Sequence, residues 1–542
     1  MEVAGLLLVR MLTPVVGQNK STTEVMELTL MVTRKQYQTP GVYIAEQDAF
    51  SSSIVEVPTA VPVFIAYTEM ASDGSRDLTN VAVAVSSLAK FMQFYGGAPQ
   101  LQFSYAKSPA ATPPLATAPG SQFFRLFYSL MLFFNNGGGR CYIVSIGSYA
   151  NGVSQKDHMR AFETLAREPE PTIVVMPDAV QLPWEDWLAV SQEALRHCAA
   201  TQSRVAILDV WNGFLPADGS AADPIQGRSD GGSGFYPVGT LGEVCNQYGA
   251  AYYPWLNTTV ISRDTIDYTW LSAASLPDLR ALMRTEAATL FAGEKLQQYL
   301  SQCVDAMVLP LATSPDDPDG TRTAATVHRM ALAASPLYQR AMSDIAASAN
   351  LMPPSGAMAG VYVRNDATFG VSKAPANTGI ICAVSPAVAL SDQDQAALNM
   401  PLNGMAVNAI RTFPTAGLLV WGARTLAGNS DDWRYISIRR TAIMLEQSIK
   451  AALQAYLFAP NDNMTWTAIN SSVSSFLTSQ WQSGALVGSK PEDAFSVRIG
   501  LGSTMTGEDI ALGYLRLQVQ VALLRPAEFL VLTFEQQTQT SP

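Results

Sequence analysis

The sequence predicts an α/β protein with a mainly parallel β-sheet, followed by a smaller α+β unit near the C-terminus. Between residues 141 and 255, short apolar segments alternate with amphipathic helical segments. Such alternation requires right-handed crossovers, which place helices on both faces of a parallel sheet. Residues 515–521 instead alternate apolar and polar side chains, which is the pattern of a half-buried strand. We therefore expect two parts with different kinds of sheet.

The elements of the first part follow from the apolar periodicity and from the turn residues between segments. Residues 264–348 are rich in Leu and Ala and predict a helical insertion, within which Pro336 should break or kink a helix. The predicted strands are 42–44, 61–67, 141–146, 172–176, 205–210 and 251–255, and the predicted helices are 87–95, 122–134, 156–166, 184–200 and 241–249.

The stretch from Asn408 to Ala459 connects the two parts. It predicts a buried strand at Gly417–Trp421, a polar loop, and a second strand with Ile436 and Ile438 on one face. A long helix follows, whose apolar stripe consists of Leu445, Ile449, Leu453 and Tyr456. Residues 460–463, Pro-Asn-Asp-Asn, should stop this helix and cap the next one.

The last hundred residues predict a compact arrangement of helices and antiparallel strands. Thr506 and Asp509 have the spacing of a capping box at the start of a short helix. A final strand is expected over residues 528–534. The other expected elements are a helix with a stripe of Trp466, Ile469, Val473, Phe476 and Trp481, a strand containing Phe495, Val497 and Ile499, and the strand at 515–521.

Composition limits the classes of function. Hydrophobic residues make up 48% of the 542 residues and charged residues only 15%, which indicates a folded chain with much apolar surface for subunit contacts. The net charge of −11, without a Lys/Arg run, argues against nucleic acid as a partner. The five cysteines are scattered, without a CxxC pair, so we expect buried reduced thiols. No apolar segment reaches the length of about 20 residues that spans a bilayer, and no signal peptide is expected at the N-terminus.

Several unusual strings resemble a known family in the same order along the chain. They are TPGVYIAE (39–46), VNAIR (407–411), VWGARTL (420–426), DWRYISIRR (432–440), FAPND (458–462), TMT (504–506) and RPAEF (525–529). Together they resemble the sheath proteins of contractile phage tails and phage-tail-like injection systems. The resemblance covers about residues 39–536.

The resemblance implies a domain organisation. It implies a subtilisin-like, mainly parallel sheet domain and an inner sheath domain that is completed by strand exchange between subunits. We expect a poorly ordered N-terminal extension at 1–36, and an N-terminal arm with the first strand of the inner region at 37–70. The sheet domain is then expected at 71–425, with its helical insertion near 264–348, and the inner domain with a terminal arm at 426–542.

The two ends of the chain are the candidate sites of subunit contact. The N-terminal arm contains Val42, Tyr43 and Ile44, a strand too short to be stable without a partner. Pairing of both ends within their own subunit is the alternative, but sheath subunits exchange such arms by strand addition. Possible contacts with an inner tube are Glu446, Lys450, Glu492 and Asp493. The expected C-terminal arm residues are Phe529, Val531, Thr533 and Phe534.

Catalytic and metal chemistry finds little support in the sequence. A subtilisin-like fold would need a Ser/His/Asp triad, but Ser355 lacks the context of a nucleophile, and only His158, His197 and His328 could act as its base. GALVGSK (484–490) fails the spacing of a phosphate loop. SPDDPDG (314–320) lacks the first and twelfth ligands of a calcium loop. We therefore expect no enzyme activity, cofactor or metal.

The expected function is a structural subunit that polymerises around an inner tube and contracts to drive it through a target cell envelope. The resemblance implies stacked, sixfold rings of this chain in a helical sheath, with an inner tube protein and baseplate and cap proteins as partners, and without membrane insertion. Assembly in the bacterial cytoplasm is expected. The alternatives are a cap or baseplate-proximal assembly protein with the same inner fold, and a cryptic hydrolase.

Overall fold

The structure is a computed structural model, and it describes most of the chain. The described residues are 54–104, 116–117, 122–220, 222–227, 234–290, 293–311, 317–401, 403–529 and 531. The predicted extension at 1–36 and the arm residues Val42, Tyr43 and Ile44 lie outside them, as do Thr533 and Phe534.

The secondary structure alternates as the sequence predicts over its first half. The strands are β1 Pro62–Thr68, β2 Ser72–Asp73, β3 Arg76–Asp77, β4 Ala82–Val85, β5 Phe103–Ser104, β6 Ala116–Thr117, β7 Cys141–Ser148, β8 Ile173–Val175, β9 Val205–Asp209, β10 Gly249–Tyr253, β11 Leu256–Thr258, β12 Leu351–Met352, β13 Thr378–Gly379, β14 Ala383–Pro386, β15 Asn408–Phe413, β16 Gly417–Val420, β17 Phe495–Ile499 and β18 Leu517–Val521.

The helices pack on the sheets and also form a separate helical region. They are α1 Leu88–Tyr95, α2 Leu126–Asn135, α3 Gln155–Leu165, α4 Trp184–Thr201, α5 Glu243–Asn246, α6 Leu276–Leu290, α7 Glu294–Ala306, α8 Thr321–Ala334, α9 Pro336–Ala349, α10 Ser355–Phe369, α11 Asp392–Asn399, α12 Ile436–Leu453, α13 Asn463–Gln482, α14 Pro491–Ala494 and α15 Gly507–Ala511. None of the helices in the described part of the chain is long and apolar enough to cross a membrane.

A nine-stranded sheet forms the centre of the larger part. Its order is β13-β16-β15-β10-β9-β8-β1-β7-β4. The six strands from β15 to β7 are parallel to their neighbours, and the antiparallel pairs lie at the two edges. Strands β1, β8, β9 and β10 are buried at every position, because helices cover both faces. The prediction of a mainly parallel sheet is confirmed.

Glycines allow one helix to pack unusually close to its neighbour. Helix α10 lies against α2, and a Cβ atom added at Gly356 would lie 2.7 Å from Cβ of Ser129. Such a contact is shorter than van der Waals distance, so a side chain there would push the helices apart. This close approach explains why the PPSGAMAG segment is rich in small residues.

The helical region lies at residues 276–349, where the sequence predicts an insertion. The helices α6 to α9 form it, and the predicted break at Pro336 is confirmed, since α8 ends at Ala334 and α9 begins at Pro336. The hydroxyl of Ser335 caps α9 by accepting a hydrogen bond from the Tyr338 N–H.

Two predicted elements differ from the structure, apart from the final strand described below. The strand expected at Ile436 and Ile438 is wrong, because α12 already begins at Ile436. Residues 436–445 are buried on all sides, Arg439 and Arg440 included, so the polar residues there do not mark a solvent-facing side of the helix. The helix expected at 241–249 shrinks to α5 and a preceding 3-10 turn, Tyr236–Leu241.

A second hydrophobic core holds the C-terminal part together. It contains Ile54, Met444, Leu445 and Ile449, together with the buried face of α13, and the apolar sides of β17 and β18 pack on it. The predicted cap of α13 is confirmed, since Asp462 accepts a hydrogen bond from the Thr465 N–H at 3.0 Å. The capping box of Thr506 and Asp509 is also present.

Candidate assembly interface

The C-terminal hairpin has the properties of an incomplete sheet. Strands β17 and β18 pair in antiparallel register, from Phe495 opposite Val521 to Ile499 opposite Leu517. Their odd-numbered, apolar side chains pack on the second core, while Arg498, Gln518 and Gln520 are exposed. Among the described residues, neither strand pairs with a third strand. The sheet therefore offers two open edges.

The backbone pairing identifies which groups point outward along these edges. The Ala522 N–H donates to the Ala494 carbonyl at 2.8 Å, so the alternation of an antiparallel pair turns the backbone groups of Val497 and Val519 outward. On the β17 side, the amide of Asn470 donates to the outward carbonyl of Val497 at 3.4 Å. An unpaired edge of this kind readily accepts an additional strand.

The segment that follows the predicted N-terminal arm is attached to the C-terminal part. Ile54 belongs to the second core, and the Val57 N–H donates to the Ser448 hydroxyl of α12 at 3.0 Å. The amide of Gln480 on α13 donates to Glu56 at 3.3 Å. The chain therefore enters its described portion beside the two helices that support the hairpin.

A buried ion pair connects this entry segment to both parts of the molecule. Arg440 on α12 donates to the two carboxylate oxygens of Asp366 on α10 at 3.0 and 2.5 Å, and their side chains are only 2% and 6% exposed. The Thr59 hydroxyl donates to the same carboxylate at 2.6 Å, and its carbonyl accepts from Arg440 at 3.1 Å. The guanidinium also lies 4.6 Å from the ring of Tyr362. This network joins three distant segments.

The neighbouring arginine explains the aromatic residues of the DWRYISIRR string. The guanidinium of Arg439 lies 4.2 Å from the Trp433 ring and 4.9 Å from the Tyr248 ring. Arg439 also donates to both carboxylate oxygens of Glu446 at 3.1 Å. The string that carries the resemblance therefore forms the junction between the sheet domain and the C-terminal part.

The structure places the four proposed tube contacts in two separate locations. Glu446 lies in the ion pair with Arg439 and remains half exposed, and Lys450 lines a cleft of about 770 Å³ beside the entry segment. Glu492 and Asp493 instead form the first turn of α14, beside the open end of the hairpin. Asp493 accepts a hydrogen bond from the Ser489 hydroxyl at 2.8 Å. The two pairs are thus on different elements.

A contact that sequence reasoning missed fixes the start of the C-terminal arm. Glu528 accepts three hydrogen bonds from Arg424, at 2.7, 3.0 and 3.2 Å, and one each from Asn399 at 2.7 Å and Tyr435 at 2.8 Å. Burial raises the pKa of Glu528, but these donors outweigh it and lower the pKa below the ordinary value. The sequence signals were Arg424 in the string VWGARTL and Glu528, with Arg525, in the string RPAEF.

The residues after Glu528 are exposed. Phe529 and Val531 are 69% and 87% exposed, and neither they nor Glu528 form part of a strand. The strand predicted at 528–534 is therefore not formed at these described positions. Two large apolar side chains two positions apart are left without cover, which is typical of a segment that pairs elsewhere.

The residues tested for hydrolase chemistry do not come together. The hydroxyl of Ser355 donates to Asp209 at 2.5 Å and is fully buried. His158, His197 and His328 make their side-chain hydrogen bonds to Ser154, Arg204 and Tyr338, respectively. Within the described residues, no group of three potential metal ligands was found.

A comparison with known protein families matches the C-terminal part of the chain, which contains the hairpin. Residues 429–537 match the family described as the phage tail sheath C-terminal domain. The tail sheath protein of Salmonella phage ViI is 28% identical over 141 residues, which is 26% of this chain but only 22% of that protein.

Solved structures extend the similarity to nearly the whole chain. The sheath complex of an extracellular contractile injection system, PVC, in its contracted state is 25% identical, with a TM-score of 0.56 over 94% of this chain and 100% of that one. The contracted helical sheath of the anti-feeding prophage is also 25% identical, with a TM-score of 0.55 over 93% of this chain and 100% of that one. A chain of the six-fold symmetrised baseplate of the same prophage is 25% identical, with a TM-score of 0.56 over 93% and 100%.

The shared fold and the match of the C-terminal domain confirm the resemblance to contractile sheath proteins found in the sequence. More particularly, the chain carries a phage tail sheath C-terminal domain at 429–537 and shares the fold of contractile injection system sheaths.

Proposed function

We propose that this chain is the structural subunit of a contractile sheath, which polymerises around an inner tube and contracts to drive that tube through a target cell envelope. The observation that carries the proposal is the hairpin β17–β18, which has two open edges among the described residues of a chain that resembles contracted sheaths over 93–94% of its length. A subunit with unfilled edges and exposed apolar ends is suited to open-ended polymerisation.

The arms complete the sheet of neighbouring subunits in this proposal. Arms from two neighbouring subunits add to the two edges of the hairpin. One neighbour supplies the segment with Val42, Tyr43 and Ile44, and another supplies the segment Phe529–Phe534. Strand addition satisfies the outward backbone groups, and alternate apolar side chains such as Val531 meet the second core. The exposure of Phe529 and Val531 supports this arrangement.

Linked arms also supply the mechanics of contraction. Subunits joined by extended segments can rotate as rigid bodies while they remain connected. At about 25 cal/mol per Å² of apolar surface, a few hundred additional Å² buried per subunit on contraction yields several kcal/mol. Summed over a long sheath, this drives the tube. The extended sheath is then a kinetically trapped state.

The other proposed properties follow the family. Sixfold rings stack into a helix around the tube protein, between a baseplate and a cap, and assembly takes place in the bacterial cytoplasm. Glu446 and Lys450, or Glu492 and Asp493, provide charged contacts to the tube. The sheet domain is subtilisin-like without hydrolase activity. This is supported by the hydrogen bonds that Ser355 and the three histidines each make to other partners.

Removal of each arm tests the proposal. We expect the purified full-length chain to form long sleeves in negative-stain electron microscopy. Deletion of residues 1–46 or of residues 529–542 should leave a folded subunit that forms no sleeves. In a mixture of the two truncated chains, each chain keeps the arm that the other has lost. Such a mixture should form short assemblies at most.

The outcomes separate the alternatives. Intact sleeves from both truncated chains would refute strand exchange. Small closed rings from the full-length chain would instead favour a cap or baseplate-proximal protein, an alternative raised by the similar chain in the anti-feeding prophage baseplate.

A further inference from the structure

The contact between Arg424 and Glu528 lies at the point where the C-terminal segment leaves the body of the subunit. The side chain of Arg424 is 2% exposed and that of Glu528 is 21% exposed. Arg424 also donates to the carbonyls of Asn399 at 2.9 Å and Gly428 at 3.2 Å. We call the four residues Arg424, Glu528, Asn399 and Tyr435 the C-terminal clasp.

The arginine of the clasp is fixed to the central sheet. The side chain of Asn408, in the parallel strand β15, accepts from the Arg424 N–H at 2.7 Å and donates to the Arg424 carbonyl at 2.8 Å. The same amide donates to the Ala251 carbonyl of β10 at 3.1 Å. The backbone of Arg424 is therefore attached to two neighbouring strands, and its side chain has little freedom.

The carboxylate of the clasp is held from three directions. Asn399 ends α11, Tyr435 immediately precedes α12, and Arg424 approaches from the sheet. Upstream of Glu528, Leu523 bridges to Leu486, and Pro526 restricts the backbone between the two contacts. The next residue, Phe529, is 69% exposed.

We propose that the C-terminal clasp fixes the base of the C-terminal arm, so that the arm turns relative to the subunit only after Glu528. This rests on the proposed function, in which a second copy of this chain takes the arm. Opening the clasp would leave a buried guanidinium without its counter-ion. By contrast, the described contacts include no hydrogen bond or ion pair of Phe529, which is 69% exposed. Arg424 and Glu528 are thus positioning residues: they aim the arm without touching the neighbouring sheet.

The first test uses the full-length chain with E528Q and a matched control, D431N. Asp431 is an exposed carboxylate near the clasp, in a loose pair with Arg434 at 3.4 Å. In unassembled subunits, we expect E528Q to speed chymotrypsin cleavage after Phe529 about tenfold, because the held residue before it is released, without faster cleavage elsewhere. D431N should behave like the natural chain. Equal cleavage rates for E528Q and the natural chain would overturn the proposal.

Assembly supplies the second readout. E528Q should form fewer and shorter sleeves than D431N at the same protein concentration, and sleeves of unchanged length would count against the clasp. If the natural chain forms no sleeves at all, the proposed function fails, while the cleavage assay still decides whether the clasp holds the segment.

A second variant covers the case in which E528Q does not fold. R424K keeps the positive charge but loses the two-point grip of the guanidinium. Faster cleavage after Phe529 in R424K supports the clasp, and an unchanged rate overturns it. Structures of extended and contracted sleeves provide the direct comparison. When the subunit bodies are superposed, the chains should coincide through Glu528 and diverge only from Phe529, and an earlier divergence would contradict the proposal.

Discussion

The central sheet and the C-terminal hairpin differ in how the edges and faces of their strands are covered. In the central sheet, strands such as β1 and β9 have neighbours on both sides and helices on both faces, and all their residues are buried. In the hairpin, one face is half buried, the other is exposed, and both outer edges are open. The first is complete within one chain, whereas the second is suited to completion by other chains.

The two parts also treat charge differently. In the sheet domain, burial raises the pKa of Asp178 to about 6 and that of Asp209 to about 7. In the C-terminal part, hydrogen bonds from Thr506 and Arg516 lower the pKa of Asp509, whose side chain is 19% exposed. The sheet domain thus contains costly buried carboxyl groups, whereas Asp509 near the hairpin stays partly exposed and is paired with Arg516.

A pair of truncations should expose the difference most strongly. Phe64 is fully buried in β1, and Val519 is half buried in β18. We expect Phe64→Ala to lower the unfolding free energy by about 4 kcal/mol, through lost burial and a residual cavity. Val519→Ala should cost about 1 kcal/mol. Chemical denaturation of unassembled subunits measures both, and comparable losses would mean that the hairpin is as tightly packed as the sheet.

The junction between the parts gives the next largest effect. Asp366→Asn removes the charge that balances the buried guanidinium of Arg440, and should cost about 3 kcal/mol. Asp392→Asn is the matched control, because Asp392 pairs with Arg411 but is almost fully exposed. If the junction couples the two parts, the D366N variant should unfold in two steps. The unfolding curves from near-UV circular dichroism and from tryptophan fluorescence would then not coincide. A single step with a loss no larger than that of D392N would contradict this role.

The pH dependence that Asp209 gives to stability should be smaller than these two effects. The raised pKa of Asp209 means that the folded chain keeps a proton that the unfolded chain releases above about pH 4. This contribution to stability is therefore present at low pH and is lost as the pH rises towards 7. His158 and His197, whose burial lowers their pKa values to about 4, act in the opposite direction.

Asp209→Asn removes only the first contribution. Relative to the natural chain, the unfolding free energy of this variant should rise by up to about 1.4 kcal/mol per pH unit between about pH 4 and about pH 7. Urea denaturation across this range measures the slope, and D73N, on the exposed strand β2, is the control. A D209N curve parallel to that of the natural chain would show that Asp209 is ionised throughout.

The sequence predicted the elements with clear periodicity and clear stop signals. The alternation at 515–521 and the cap at Asp462 depend on a few neighbouring residues, so a local pattern was enough. The prediction of a strand at Ile436 was wrong because contacts with distant residues, which a local pattern does not show, decide the burial there. In sequence, Arg439 and Arg440 look like solvent-facing residues, yet both are buried. Arg439 contacts Gln247, 192 residues away, and Arg440 contacts Asp366, 74 residues away.

The sequence by itself determined the parallel α/β architecture, the helical region with its break at Pro336, and the relationship to contractile sheaths, because these depend on periodicity, turn residues and long distinctive strings. Only the tertiary structure decided where the two ends are anchored. The contacts of Arg424 with Glu528 and of Arg440 with Asp366 join residues 104 and 74 positions apart. Burial selects such partners by geometry, since a charge removed from water needs whichever opposite charge the fold brings to it.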